Sequence, residues 1–122
     1  MSVYELIDEE GFGRLVAAFY RRVPHDPILG PMYPKDDLAG AEYRLREFLV
    51  FRFGGPPRYL ESRGHPALRM RHAPFAITQQ ARDHWIALMS EALVEAELPA
   101  EARQPLSQFF NEAASFLINR SG

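Results

Sequence analysis

A chain of 122 residues, 47% of them hydrophobic, has the size and apolar content of one compact domain with a buried core. A formal charge of −2 gives no global attraction to nucleic acid or to an anionic membrane. The absence of cysteine excludes disulfides, iron–sulfur ligation and thiol catalysis, and suits a reducing cytoplasm. The first ten residues mix acids with apolar side chains and read as no secretory segment. The longest apolar run, Phe48-Leu49-Val50-Phe51, is far too short to span a bilayer.

The dominant periodicity is helical. Phe12, Leu15, Val16, Phe19, Tyr20 and Val23 form one apolar stripe on a helix that stops at Pro24. Pro24 to Pro34 holds four prolines and a glycine, which predicts a corner or very short helix. Asp36 or Asp37 can cap the next helix, which carries Leu38, Ala41, Leu45, Phe48, Leu49 and Arg52 on one face. Gly54-Gly55-Pro56-Pro57 ends it.

From Arg58 to Pro74, Gly64 and Pro66 leave room only for short helical pieces. Thr78 is a predicted N-cap for a helix reaching about Glu97, with Ala81, Trp85, Leu88 and Ala92 on one stripe. Pro99 suits the first turn of a last helix bearing Leu106, Phe109, Phe110, Ala113, Phe116 and Leu117. Pro105 would kink that helix or mark its true beginning. The fold class is all-α, with two longer helix pairs flanking a poorly helical middle.

Chemistry concentrates in that middle. His72 has Leu68 one turn before it and Phe75 three residues after it, two apolar walls for a flat ring. Arg69 and Arg71 add fixed positive charge. Haem has this mixed character: an apolar macrocycle, two peripheral carboxylates and an iron that takes an axial imidazole. Arg44, at the edge of its helix's apolar face, and Arg71 could pair with those carboxylates, with Tyr59 and His65 adding hydrogen bonds.

Three further side chains have both a core and a site reading. Tyr20 lies on an apolar stripe, so its phenol needs a buried partner or a ligand. Tyr33 sits in the irregular proline-rich segment. Trp85 is the only tryptophan, and its indole N–H is a donor suited to a partly negative bound oxygen. A zinc site built from His25, His65, His72 and His84 lacks both HExxH spacing and cysteine.

Several separated motifs resemble the group II truncated haemoglobins along nearly the whole chain. They are Phe19-Tyr20, the run from Met32-Tyr33-Pro34 to Ala41, Phe53-Gly54-Gly55-Pro56, the run from Gly64-His65-Pro66 to His72-Ala73-Pro74-Phe75, and Asp83-x-Trp85. The resemblance implies one truncated-globin domain over 1–122, a two-over-two helical sandwich around haem b. It makes His72 the proximal iron ligand and Tyr20, Tyr33 and Trp85 the polar distal residues, with Leu45 and Phe48 as distal walls. Ala41 stands where many globins carry a distal His or Gln.

The implied activity is binding of O₂, NO and CO, for oxygen handling or nitric-oxide detoxification, by a cytoplasmic monomer or homodimer. The chain contains no flavin or NAD domain, so any catalytic cycle would draw electrons from a separate reductase. A peroxidase-like haem enzyme and a haem-free helical interaction module are the alternatives.

Overall fold

The computed structural model describes residues 1–121, and all their regular structure is helical. Six α-helices run α1 Val3–Arg22, α2 Leu38–Arg52, α3 Arg58–Arg63, α4 Leu68–His72, α5 Gln79–Glu95 and α6 Ala100–Phe116. Short 3₁₀ turns at Val23–His25 and Gly30–Met32 fill the proline-rich corner after α1. Among the described residues no helix is long and apolar enough to cross a membrane.

α1 begins earlier than its apolar stripe suggests, because Ser2 and Glu5 close a capping box. The Ser2 hydroxyl accepts from the Glu5 N–H at 3.1 Å, and the Glu5 carboxylate accepts from the Ser2 N–H at 2.9 Å. Asp8 then interrupts the helix with φ 55° and ψ −174°, so α1 is two helical segments meeting at a break. Pro24 ends the helix as predicted, with Arg21 and Arg22 in its last turn.

Asp37 takes the N-cap position of α2, but its side chain makes no capping bond and instead accepts from Arg44 at 3.2 Å. At the far end of α2, Gly54 adopts φ 102°, and the segment passes so close to α1 that only glycine fits. A Cβ on Gly55 would lie 2.5 Å from Val50 Cγ1 and 2.6 Å from the Tyr4 ring. The Tyr4 N–H donates to the Phe53 carbonyl at 3.0 Å across this junction.

Thr78 caps α5 by accepting from the Ala81 N–H at 3.1 Å. α6 starts at Ala100 and runs through Pro105, which therefore does not mark its beginning.

α1 packs on both α2 and α5, and α6 packs on α5 and α1, the two-pair arrangement expected from the sequence. Phe12, Leu15, Val16, Phe19, Leu49, Met89 and Leu106 are fully buried where these helices meet. The inward face of α5 is carried by Ala81, Met89, Ala92 and Leu93, while Trp85 and Leu88 are half-buried beside it. One buried carboxylate, Glu47, is satisfied by the Arg58 guanidinium at 2.9 Å, which also binds Glu9. That ion pair fixes the corner between α2 and α3 and seats Tyr59, whose ring packs edge-on to Phe48 at 5.4 Å.

Candidate functional site

A cavity of about 440 Å³ opens beside α2 and α4 and reaches α5 and α6. Its volume lies in the range of small-molecule and cofactor pockets. α2 contributes Ala41, Arg44, Leu45 and Phe48, and the α3–α4 region contributes Tyr59, Arg63, Leu68, Arg71, His72 and Phe75. Tyr20, Tyr33 and Trp85 also reach it. Of the site residues expected from the sequence, only His65 stands outside the lining. It is exposed, and its Nδ1 accepts from the Ala67 N–H at 3.1 Å within its own loop.

His72 is the last residue of α4, half-buried. Its Nδ1 lies 2.7 Å from the Leu68 carbonyl one turn earlier. A carbonyl only accepts, so Nδ1 carries a proton, and in the neutral ring Nε2 keeps the lone pair. Nε2 has no protein partner among the described residues. A second-sphere carbonyl that fixes the tautomer of an imidazole is the usual support of a metal-ligating histidine. Among the described residues no three His, Asp or Glu side chains converge as a metal site. His84 in particular is held by Asp26 at 2.9 Å, away from the other imidazoles.

The polar end of the cavity is an aromatic cluster. Trp85 Nε1–H donates to the Tyr33 hydroxyl oxygen at 3.2 Å, so the indole N–H is already engaged. Among the described residues nothing accepts the Tyr33 hydroxyl proton. Tyr20 stands edge-on to Tyr33 at 5.6 Å between ring centres, and its hydroxyl has no partner among the described residues. Phe19 backs the group, 5.3 Å from both Tyr20 and Trp85, and Phe110 flanks Trp85 at 5.5 Å. Burial drives the Tyr20 phenol far above its ordinary pKa, and Tyr33 beside it pushes in the same direction. Burial also raises Tyr33 to about 12, against a smaller lowering by the Trp85 hydrogen bond. Both phenols are protonated donors at neutral pH.

The cations at the edge are less alike than their sequence positions suggest. Arg44 is paired with exposed Asp37. Arg71 donates through Nε to the Pro66 carbonyl at 2.7 Å and through Nη2 to the carbonyls of Arg63 and His65 at 2.8 and 3.3 Å. Arg63, whose position in the sequence does not mark it, lines the cavity with a guanidinium that makes no hydrogen bond among the described residues. It is the last cation before the Gly64-His65-Pro66 break. Phe109, Phe110, Ala113, Ala114 and Leu117 of the α6 region supply a further apolar wall. Their helical spacing was visible, but spacing alone does not separate a core stripe from a cavity wall.

The donor set fits an iron porphyrin: an imidazole nitrogen without a partner among the described residues, an apolar slot, cations at the edge, and one buried and one partly buried phenol donor.

Comparison with known proteins points the same way. The bacterial-like globin family profile matches residues 2–119. The chain is 39% identical over 118 residues to the group 2 truncated hemoglobin YjbI of Bacillus subtilis, covering 97% of this chain and 89% of that protein. The crystal structure of a hemoglobin from Chloroflexus aurantiacus superposes with a TM-score of 0.94 at 45% identity, covering 98% of this chain and 99% of that one. The X-ray structure of a truncated oxygen-avid haemoglobin from Bacillus subtilis gives 0.92 at 39% identity, covering 98% of this chain and all of that one (100%).

Proposed function

The chain belongs to the bacterial-like globins as a group II truncated haemoglobin, and on that premise we propose that it holds haem b through His72 and binds O₂ in the cytoplasm. The observation that carries the reading is the His72 tautomer. The 2.7 Å bond to Leu68 leaves the Nε2 lone pair of the neutral ring without a partner among the described residues, beside an apolar cavity that also receives two unionised phenols. Bound haem supplies a ferrous iron with one open position for O₂, NO or CO.

The chain's own residues then do the selecting. Leu45, Phe48, Leu68 and Phe75 offer apolar surface to the macrocycle, and Arg63 offers a free cation to a propionate. A ligand such as O₂ that takes on partial negative charge would accept hydrogen bonds in this cavity, whereas CO would do so poorly. Tyr33 would offer its hydroxyl proton to such an acceptor while its oxygen stays anchored by Trp85 at 3.2 Å. Tyr20 is the second donor. Each donor in such a water-poor pocket contributes about 1.5–3 kcal/mol to a charged acceptor.

Strong retention favours oxygen chemistry or nitric-oxide detoxification over bulk delivery, because release is slow. The oxygen-avid character stated for the Bacillus subtilis haemoglobin supports this reading. Turnover by such chemistry would draw electrons from a separate reductase.

An absorption spectrum of protein expressed with haem available, before and after dithionite and then CO, tests the proposal. A Soret band that shifts with both reagents, and a haem b pyridine haemochrome, are expected. Colourless protein that takes up no haem would leave the helical interaction module standing instead.

A further inference from the structure

α4 is only five residues long and is absent from the close helix pairings of the fold. A helix of that length does not hold itself in water. What orients His72 must therefore be tertiary, and the ties lie at both ends of α4. At the front, Arg71 laces the carbonyls of Arg63, His65 and Pro66. At the back the tie is Asn119, from the segment that follows α6.

Asn119 Nδ2 donates to the His72 carbonyl at 3.3 Å and to the Phe75 carbonyl at 3.0 Å. Its Oδ1 accepts from the Ile77 N–H at 2.9 Å. Its own N–H donates to the Ile77 carbonyl at 2.9 Å, and the Arg120 N–H reaches the same carbonyl at 3.2 Å. The amide orientation is unambiguous, because the flipped form would set Oδ1 against two carbonyls and Nδ2 against an N–H. The His72 carbonyl also accepts from the Phe75 N–H at 3.0 Å, so Asn119 takes its remaining lone pair. One side chain thus closes the end of α4 and pins the whole turn from 72 to 77.

We propose that Asn119 is a positioning residue for the proximal ligand, setting the height and tilt of the His72 imidazole through its backbone. The inference rests on His72 holding the iron. It goes beyond that assignment in giving the segment after α6 control over the iron–histidine bond. Nothing local marks the residue, since its partners lie 42 to 47 positions away.

Asn119→Asp is the sharpest variant. It nearly keeps the shape and the acceptor for Ile77 but removes both donors to His72 and Phe75. Asn119→Ala removes all three side-chain bonds without adding charge. Resonance Raman spectra of the ferrous, ligand-free protein read the iron–histidine stretch. Haem transfer to apomyoglobin reads retention, and amide hydrogen exchange reads Ile77.

Both variants are expected to shift or broaden the iron–histidine band and to speed haem loss by about 2- to 12-fold, the range set by one net hydrogen bond. Ile77 exchange should rise in Asn119→Ala and stay slow in Asn119→Asp. An unchanged band and unchanged haem loss in both variants would overturn the proposal. So would changes confined to Asn119→Asp, which would be an effect of charge alone. Should Asn119→Ala fail to fold, the near-isosteric and uncharged Asn119→Leu takes its place, and an unchanged band and unchanged haem loss in it would overturn the proposal.

His72→Gly separates the two layers. A wild-type iron–histidine band that persists in His72→Gly removes the ligand assignment itself. A band that vanishes there but is indifferent to Asn119 removes only the positioning role.

Discussion

Replacing Tyr33 with phenylalanine deletes one oxygen atom that plays two parts. It accepts from the Trp85 indole at 3.2 Å, and it offers its own proton to the cavity. The Trp85 ring is wedged between Phe19 at 5.3 Å and Phe110 at 5.5 Å, so it cannot swing freely to replace the lost donor. The net change at the ligand is therefore one missing hydrogen bond to a partly charged acceptor, about 1.5–3 kcal/mol. That corresponds to roughly a 10- to 150-fold faster O₂ release.

Trp85→Phe leaves the Tyr33 proton in place but removes its tether, for about 0.5–1.5 kcal/mol or roughly 2- to 12-fold. The double variant should fall short of the sum, because both residues act in one network. Stopped-flow O₂ displacement by CO measures release, and CO dissociation is the control that should barely move. A Trp85→Phe effect larger than that of Tyr33→Phe, or equal effects on O₂ and CO, would refute the reasoning. The indole would then be the direct donor, as the sequence alone suggested.

Three other outcomes follow from the geometry. Arg63→Ala should speed haem loss more than Arg44→Ala, because Arg44 is already paired with Asp37; a haem-transfer assay at low salt ranks the two. Gly55→Ala should destabilise the fold by about 1–3 kcal/mol through overpacking against Val50 and Tyr4, read as a lower urea midpoint at an unchanged m-value. The raised phenol pKa values of Tyr20 and Tyr33 stabilise the fold fully below the free-phenol value of about 10, and that contribution is lost as pH rises toward about 12. In a 295 nm titration Tyr20 and Tyr33 should therefore ionise late, together with unfolding.

Local rules carried much of the fold. The stripe from Phe12 to Val23, the stop at Pro24 and the Thr78 cap depend on residues within one or two turns, and each stands where the spacing placed it. The capping box of Ser2 and Glu5 was equally local and went unread. The break at Asp8 carries no signal, since its φ of 55° is one that glycine would announce and aspartate does not. The site was legible as a set of residue types but not as a hydrogen-bond network. That Trp85 serves Tyr33, that Arg71 binds carbonyls and that Asn119 reaches His72 all depend on contacts between segments distant in sequence. His65 lies outside the cavity lining because its Nδ1 is turned to the Ala67 N–H of its own loop, a contact that its position in the chain does not reveal.

The most direct test of the account is His72→Gly with and without added imidazole. The substitution should abolish the normal ferrous spectrum and weaken haem retention, and imidazole should restore a five-coordinate Soret band by filling the vacated position. A His72→Gly protein whose spectrum and haem affinity match the wild type would contradict the account at its root.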